Sequence, residues 1–127
     1  MAIGEENLVE TKLTRKIIGI AFEIYNQVGA GYPEKVYQNA FEIKLNDANL
    51  KYSKENYCKI ELEGKRIGGF RLDFLVENKV IIETKARDEV YKKDISQILT
   101  YLKVKNIKVG LLILFAKSGV KIKRYVM

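Results

Sequence analysis

The chain has 127 residues, of which 47% are apolar and 31% charged. That balance excludes disorder and fibrous or repeat architectures, and the length leaves room for a single domain, residues 1–127, with one sizeable core. Lys and Arg outnumber Asp and Glu 23 to 16, a net +7 that favours polyanionic partners through counterion release but does not by itself identify one.

In chain order, the opening residues Met1 to Asn7 carry acids where a signal peptide would be basic and then apolar, so a cytoplasmic location is expected. From Leu13 the apolar residues Leu13, Ile17, Ile20, Ala21, Ile24 and Val28 recur at steps of three and four, which predicts a helix ending at Gly29. The turn Gly29 to Tyr32 leads to Pro33, suited to the first position of a second helix that carries Val36, Tyr37, Ala40, Phe41, Leu45 and Ala48 to about Asn49. After Leu50 the period becomes two. Cys58, Ile60 and Leu62 mark one side of a strand that turns at Glu63-Gly64. Cys58 is the sole cysteine and no histidine exists to activate it, so it reads as a small residue packed in a strand.

A second strand starts near Ile67, with Phe70, Leu72 and Phe74 on one face and Arg71, Asp73 and Leu75 on the other, up to the polar turn Glu77-Asn78-Lys79. The third strand, Val80 to Ala86, is β-branched and then abruptly charged at Glu83 and Lys85, which packing does not require. A third helix over about Val90 to Lys103 would bury Ile95, Ile98, Leu99 and Leu102. Two strands close the chain, Val109 to Phe115 and Val120 to Val126, and the longest apolar run, Val109 to Ala116, is far short of the roughly 20 residues that cross a bilayer. The α-α-β-β-β-α-β-β order predicts an α/β domain with a mixed sheet of about five strands flanked by helices.

If Glu77-Asn78-Lys79 is a three-residue hairpin loop, Val76 pairs with Val80 and Asp73 stands opposite Glu83. A loop one residue longer or shorter would turn Asp73 away. Two opposed carboxylates destabilise a sheet unless a cation relieves them. Lys85, two residues beyond Glu83, shares its face. Such oxygen ligands suit Mg²⁺ or Mn²⁺, and the lack of histidine with one cysteine argues against zinc or iron. Metal-assisted phosphodiester hydrolysis is chemistry this patch could perform. Lys85 could deprotonate water if its pKa is depressed or neutralise transition-state charge if it is not, and a solvated ion network on an exposed sheet face is the bland alternative.

Asp73, nine intervening residues, and Glu83-Thr84-Lys85 resemble the bipartite motif of the PD-(D/E)xK nuclease superfamily. Gly31 to Tyr37 matches G-x-x-E-x-x-Y, the signature of the GxxExxY family within it, and Gln97 to Tyr101 matches its Q-x-x-x-Y helix. The resemblance implies a restriction-endonuclease-like core, Asp73 and Glu83 as metal ligands, Thr84 as a ligand through its carbonyl, and Lys85 as the catalytic lysine. It further implies Glu34 as an additional or supporting metal ligand, Gln97 orienting Lys85 or holding phosphate, and Tyr101 contacting the substrate or the site. Against these stand a Glu34 favoured merely by the helix dipole, a solvated Gln97, and a Tyr37 that belongs to the core. The family's strand after the Q-x-x-x-Y helix commonly ends in Asn-Phe, whereas this chain has Leu114-Phe115.

The expected function is therefore Mg²⁺- or Mn²⁺-dependent hydrolysis of DNA, with Arg71, Lys92 and Lys93 as candidate phosphate contacts or as plain solvated surface. The alternative is a nucleic-acid-binding or protein-interaction module that keeps the fold without turnover. A homodimer would enlarge the binding surface at little cost, although no sequence feature demands one.

Overall fold

A computed structural model describes residues 10–127, so the acidic opening stretch falls outside the described residues. Three helices, α1 (Thr11–Val28), α2 (Glu34–Asp47) and α3 (Lys92–Lys105), accompany five strands, β1 (Tyr52–Leu62), β2 (Lys65–Val76), β3 (Val80–Lys85), β4 (Val109–Ala116) and β5 (Gly119–Val126). Element order and type match the expectation from sequence periodicity. The sheet runs β1-β2-β3-β4-β5, antiparallel except for the β3–β4 pair, which is parallel because α3 forms the crossover between them.

The sheet has helices on both faces. On one, Ile17, Ile20 and Ile24 of α1 and Tyr37, Phe41 and Leu45 of α2 pack on Phe74, Val80, Ile82, Leu111 and Ile113. On the other, Ile98, Tyr101 and Leu102 of α3 cover Cys58, Leu72, Ile81, Leu112 and Leu114. β4 is buried along its whole length, which is why its sequence is an apolar run rather than an alternation. Gly110 permits the close approach of α3, since a Cβ there would sit 2.6 Å from Ile98 Cγ2.

Several details differ from the sequence expectation. Pro33 precedes α2 with extended backbone, φ −60° and ψ 153°, rather than occupying its first turn. α3 starts two residues late because the Asp94 carboxylate accepts the Tyr91 N–H at 3.0 Å and fixes the helix entry there. On α3, Leu99 is exposed and Tyr101 takes the buried place expected for it. The strand faces also change. Leu72 packs under α3 but Phe74 under α1 and α2, so the two do not share a face. The cause is an interruption of the β1–β2 ladder opposite Asp73, where Glu55 takes a left-handed conformation, φ 51°, and breaks the alternation.

Candidate active site

The loop Glu77-Asn78-Lys79 pairs Val76 with Val80 and Phe74 with Ile82, the register that brings Asp73 to Glu83. Past Phe74 the regular ladder stops, and the carboxylates take over its hydrogen bonds. The Asp73 N–H donates to Glu83 Oε1 at 3.1 Å, while the Thr84 N–H and hydroxyl donate to Asp73 Oδ2 at 2.9 and 2.6 Å. Thr84 is fully buried.

α2 supplies the other side. The turn before it is pinned by Tyr37, whose hydroxyl donates to the Gly29 carbonyl at 2.7 Å and accepts the Tyr32 N–H, while its ring stacks on Phe115 at 4.2 Å. Gly29 and Gly31 take φ 84° and 95°, conformations that favour glycine. Tyr37 is therefore a core residue that fixes the start of α2, and with it Glu34 in the first turn. One helical turn on, Gln38 Nε2 donates to both Glu34 Oε2 (3.1 Å) and Asp73 Oδ1 (3.2 Å). Lys85 Nζ lies 3.4 Å from Glu83 Oε2 and 3.7 Å from Glu34 Oε1. Glu34, Asp73, Glu83 and Lys85 are thus one cluster, with Gln38 and Thr84 as its polar ties.

Burial pushes the Glu83 carboxyl up to about 8, with the Asp73 carboxylate adding to the rise and Lys85 opposing it. Burial also raises Glu34, and Lys85 again opposes. Lys85 itself is raised, because Glu83 and Glu34 together outweigh the burial that would lower it. A charged ammonium follows, so of the two roles open to Lys85 the cationic one agrees with its surroundings.

Glu34, Asp73 and Glu83 offer hard oxygens alone, and the raised affinity of Glu34 and Glu83 for protons is a demand for positive charge that a small divalent cation would meet. Among the described residues, no three Asp, Glu, Cys or His side chains converge into a ready-made cage. Instead the Gln38 amide bridges Glu34 to Asp73, and the Lys85 ammonium bridges Glu34 to Glu83. The donor chemistry fits a divalent ion, with those two bridges as the groups that would yield to it.

The remaining candidates lie at varying distance from this cluster. Arg71 is exposed and lines a recess beside Asp73 together with Lys35, Gln38 and Lys54. Lys92 and Lys93 are exposed at the start of α3. Gln97 is half-buried with no side-chain hydrogen bond among the described residues. Tyr101 is 3% exposed and packs beneath α3 with Cys58 and Leu72, on the face opposite α2. Leu114, the ladder neighbour of Lys85, is fully buried and offers it no polar group.

Two features escaped the sequence reading. Gln38 could have been found from its spacing of four from Glu34. Arg87, ion-paired to the buried Asp94 and stacked 3.8 Å over the Tyr91 ring, exerts a lowering influence on Glu34 but belongs to no motif.

Among the described residues no helix is long and apolar enough to cross a membrane. No curated protein matches the chain. The crystal structure of SSO0001 is similar in fold, with a TM-score of 0.55 and 17% identity over 96% of this chain and 61% of that one, so this chain spans less than two thirds of that structure. The family model of the PD-(D/E)XK nuclease superfamily matches residues 11–125, and with Asp73 and the Glu83-Thr84-Lys85 triplet on adjacent strands of the sheet, the chain belongs to that superfamily.

Proposed function

We propose that this protein hydrolyses phosphodiester bonds in DNA with Mg²⁺ or Mn²⁺, and that within its superfamily it belongs to the GxxExxY group. The observation that carries this is the cluster itself, in which three carboxylates and one lysine are drawn together in a partly buried place at a cost that folding alone does not explain. Asp73 and Glu83, with Glu34 and the Thr84 carbonyl, would hold the ion, which when bound would polarise the phosphoryl group and acidify the attacking water.

The chain's own residues do the rest. Thr84 fixes the Asp73 carboxylate through Oδ2, and Gln38 holds Oδ1 until the ion takes its place. The Lys85 ammonium supplies fixed positive charge where a phosphorane-like transition state gathers negative charge. Arg71, Lys92 and Lys93 are assigned to backbone phosphates, and Gln97 and Tyr101 to support of the lysine and of the α3 face respectively.

The test is cleavage of linear, circular, single-stranded and branched DNA and of RNA with Mg²⁺, Mn²⁺ or chelator, comparing wild type with Glu83→Gln. Metal-dependent cutting of DNA that the variant lacks is the expected result. A folded wild type that cuts nothing under any condition would transfer the fold to a binding role.

A further inference from the structure

β2 pairs with β3 only from Phe74 to Val76, so over residues 65–73 it pairs with β1 alone, as a two-stranded ribbon seated under α3 through Cys58 and Leu72 and largely exposed from Lys59 to Gly69. Its turn, Glu63-Gly64, has φ 52° and 76°, the tight geometry that lets such a ribbon keep its twist. Midway along it lies Tyr57, whose ring is overlaid by two guanidinium groups, Arg66 at 4.6 Å and Arg71 at 5.7 Å from the ring centroid. The ring is seated across β2 at Gly69, where any Cβ would fall 2.2 Å from the Tyr57 hydroxyl. That hydroxyl is buried and has no hydrogen-bond partner among the described residues.

A packing role does not account for this arrangement. Both arginines are exposed with no ion pair among the described residues, so the contact each has is with the Tyr57 ring. What the aromatic ring does is hold two long cationic side chains in place, lowering the entropy they would lose on gripping an anion. The direction is also informative. Arg71 lines the recess that contains Asp73, so the cationic track starts at the carboxylate cluster and runs outward along the ribbon to Arg66.

We propose that the β1–β2 ribbon is a nucleic-acid-binding arm in which Tyr57 positions Arg66 and Arg71 on successive backbone phosphates of the strand that leads to the Asp73–Glu83 site. The inference rests on the nuclease reading for its substrate class. A two-stranded ribbon has the width to follow a duplex groove, and the Tyr57 ring, covered by guanidinium groups, is not open to stack on bases. Recognition is therefore of the phosphate backbone and independent of base sequence.

The experiment is fluorescence anisotropy of a short labelled duplex of arbitrary sequence, and of the matching single strand, in chelator so that cutting plays no part. The Arg66→Gln/Arg71→Gln variant should bind the duplex at least about 10-fold more weakly, with the slope of log affinity against log salt reduced by about two. Tyr57→Leu should weaken binding in the same sense, and the conservative Tyr57→Phe should restore it. Should the double variant fail to fold, each single variant should reduce the slope by about one. Wild-type affinity and slope in the arginine variants, or no binding by the wild type, would overturn the arm. So would light scattering that shows a wild-type dimer split by these substitutions, since Ile60, Leu62 and Ile67 at the tip would then be a self-association surface. Because binding is read without turnover, an arm that binds in a protein that never cuts would fail the nuclease reading alone.

Discussion

At the scale of single residues, the charge on Glu83 decides most of what can be measured without a substrate. In the folded chain its carboxyl is pushed from an ordinary value near 4.5 up to about 8, chiefly by burial. Between those values the native protein holds a proton that the unfolded chain has released. The stabilising contribution is full below about pH 4.5 and is lost as pH rises through about 8. Melting temperature in chelator should therefore fall as pH rises across that window, and Glu83→Gln should flatten the slope while removing cleavage. Lys85 gives a second prediction. As a fixed cation it should be replaceable in part by arginine, so Lys85→Arg should keep measurable cleavage where Lys85→Gln keeps none. A lysine acting as general base would show equal loss in both.

Among elements, the helices and strands were legible wherever a periodicity was clean. α1 and β4 announce themselves, one by steps of three and four and the other by an unbroken apolar run. The meeting of Asp73 and Glu83 was legible on one condition, a three-residue loop, and the pairing of Val76 with Val80 meets it. What was hidden follows from local geometry. The first half of β1 has too few β-branched residues to read as a strand, and the face switch between Leu72 and Phe74 depends on the left-handed Glu55, which no alternation of residue types records. Tyr101 matched a motif but its ring is core, since the buried stripe of α3 runs through Ile98, Tyr101 and Leu102 rather than through Leu99. α3 depends on Gly110 for its seat. Gly110→Ala should cost about 1–3 kcal/mol in urea denaturation, because the new methyl group would meet Ile98 and Ile81 in a fully packed layer.

The described residues form a sheet sandwiched between helices, and the carboxylate cluster sits at the point where β2 parts from β3. Tertiary packing explains why one polar tie of the site was harder to read than its acids. Gln38 becomes a partner of Asp73 only when α2 lies over the sheet, whereas Asp73 meets both Glu83 and Thr84 through a hairpin that is local in sequence. The superfamily match covers nearly the whole described chain, so the site belongs to the body of the fold and not to an appendage on it.

The substitution of carboxylate for carbonyl at the end of the β2–β3 ladder has a spectroscopic meaning. The backbone amides of Asp73 and Thr84 point at Glu83 Oε1 and Asp73 Oδ2 instead of at a neighbouring strand. Their proton chemical shifts and exchange rates should therefore follow the charge on those two side chains, moving as Glu83 titrates and again when a divalent cation is added, while the amides of Phe74 and Ile82 one step inward hold still. Two peptide groups thus serve as built-in gauges of the carboxylate cluster, readable by nuclear magnetic resonance before any substrate is in hand.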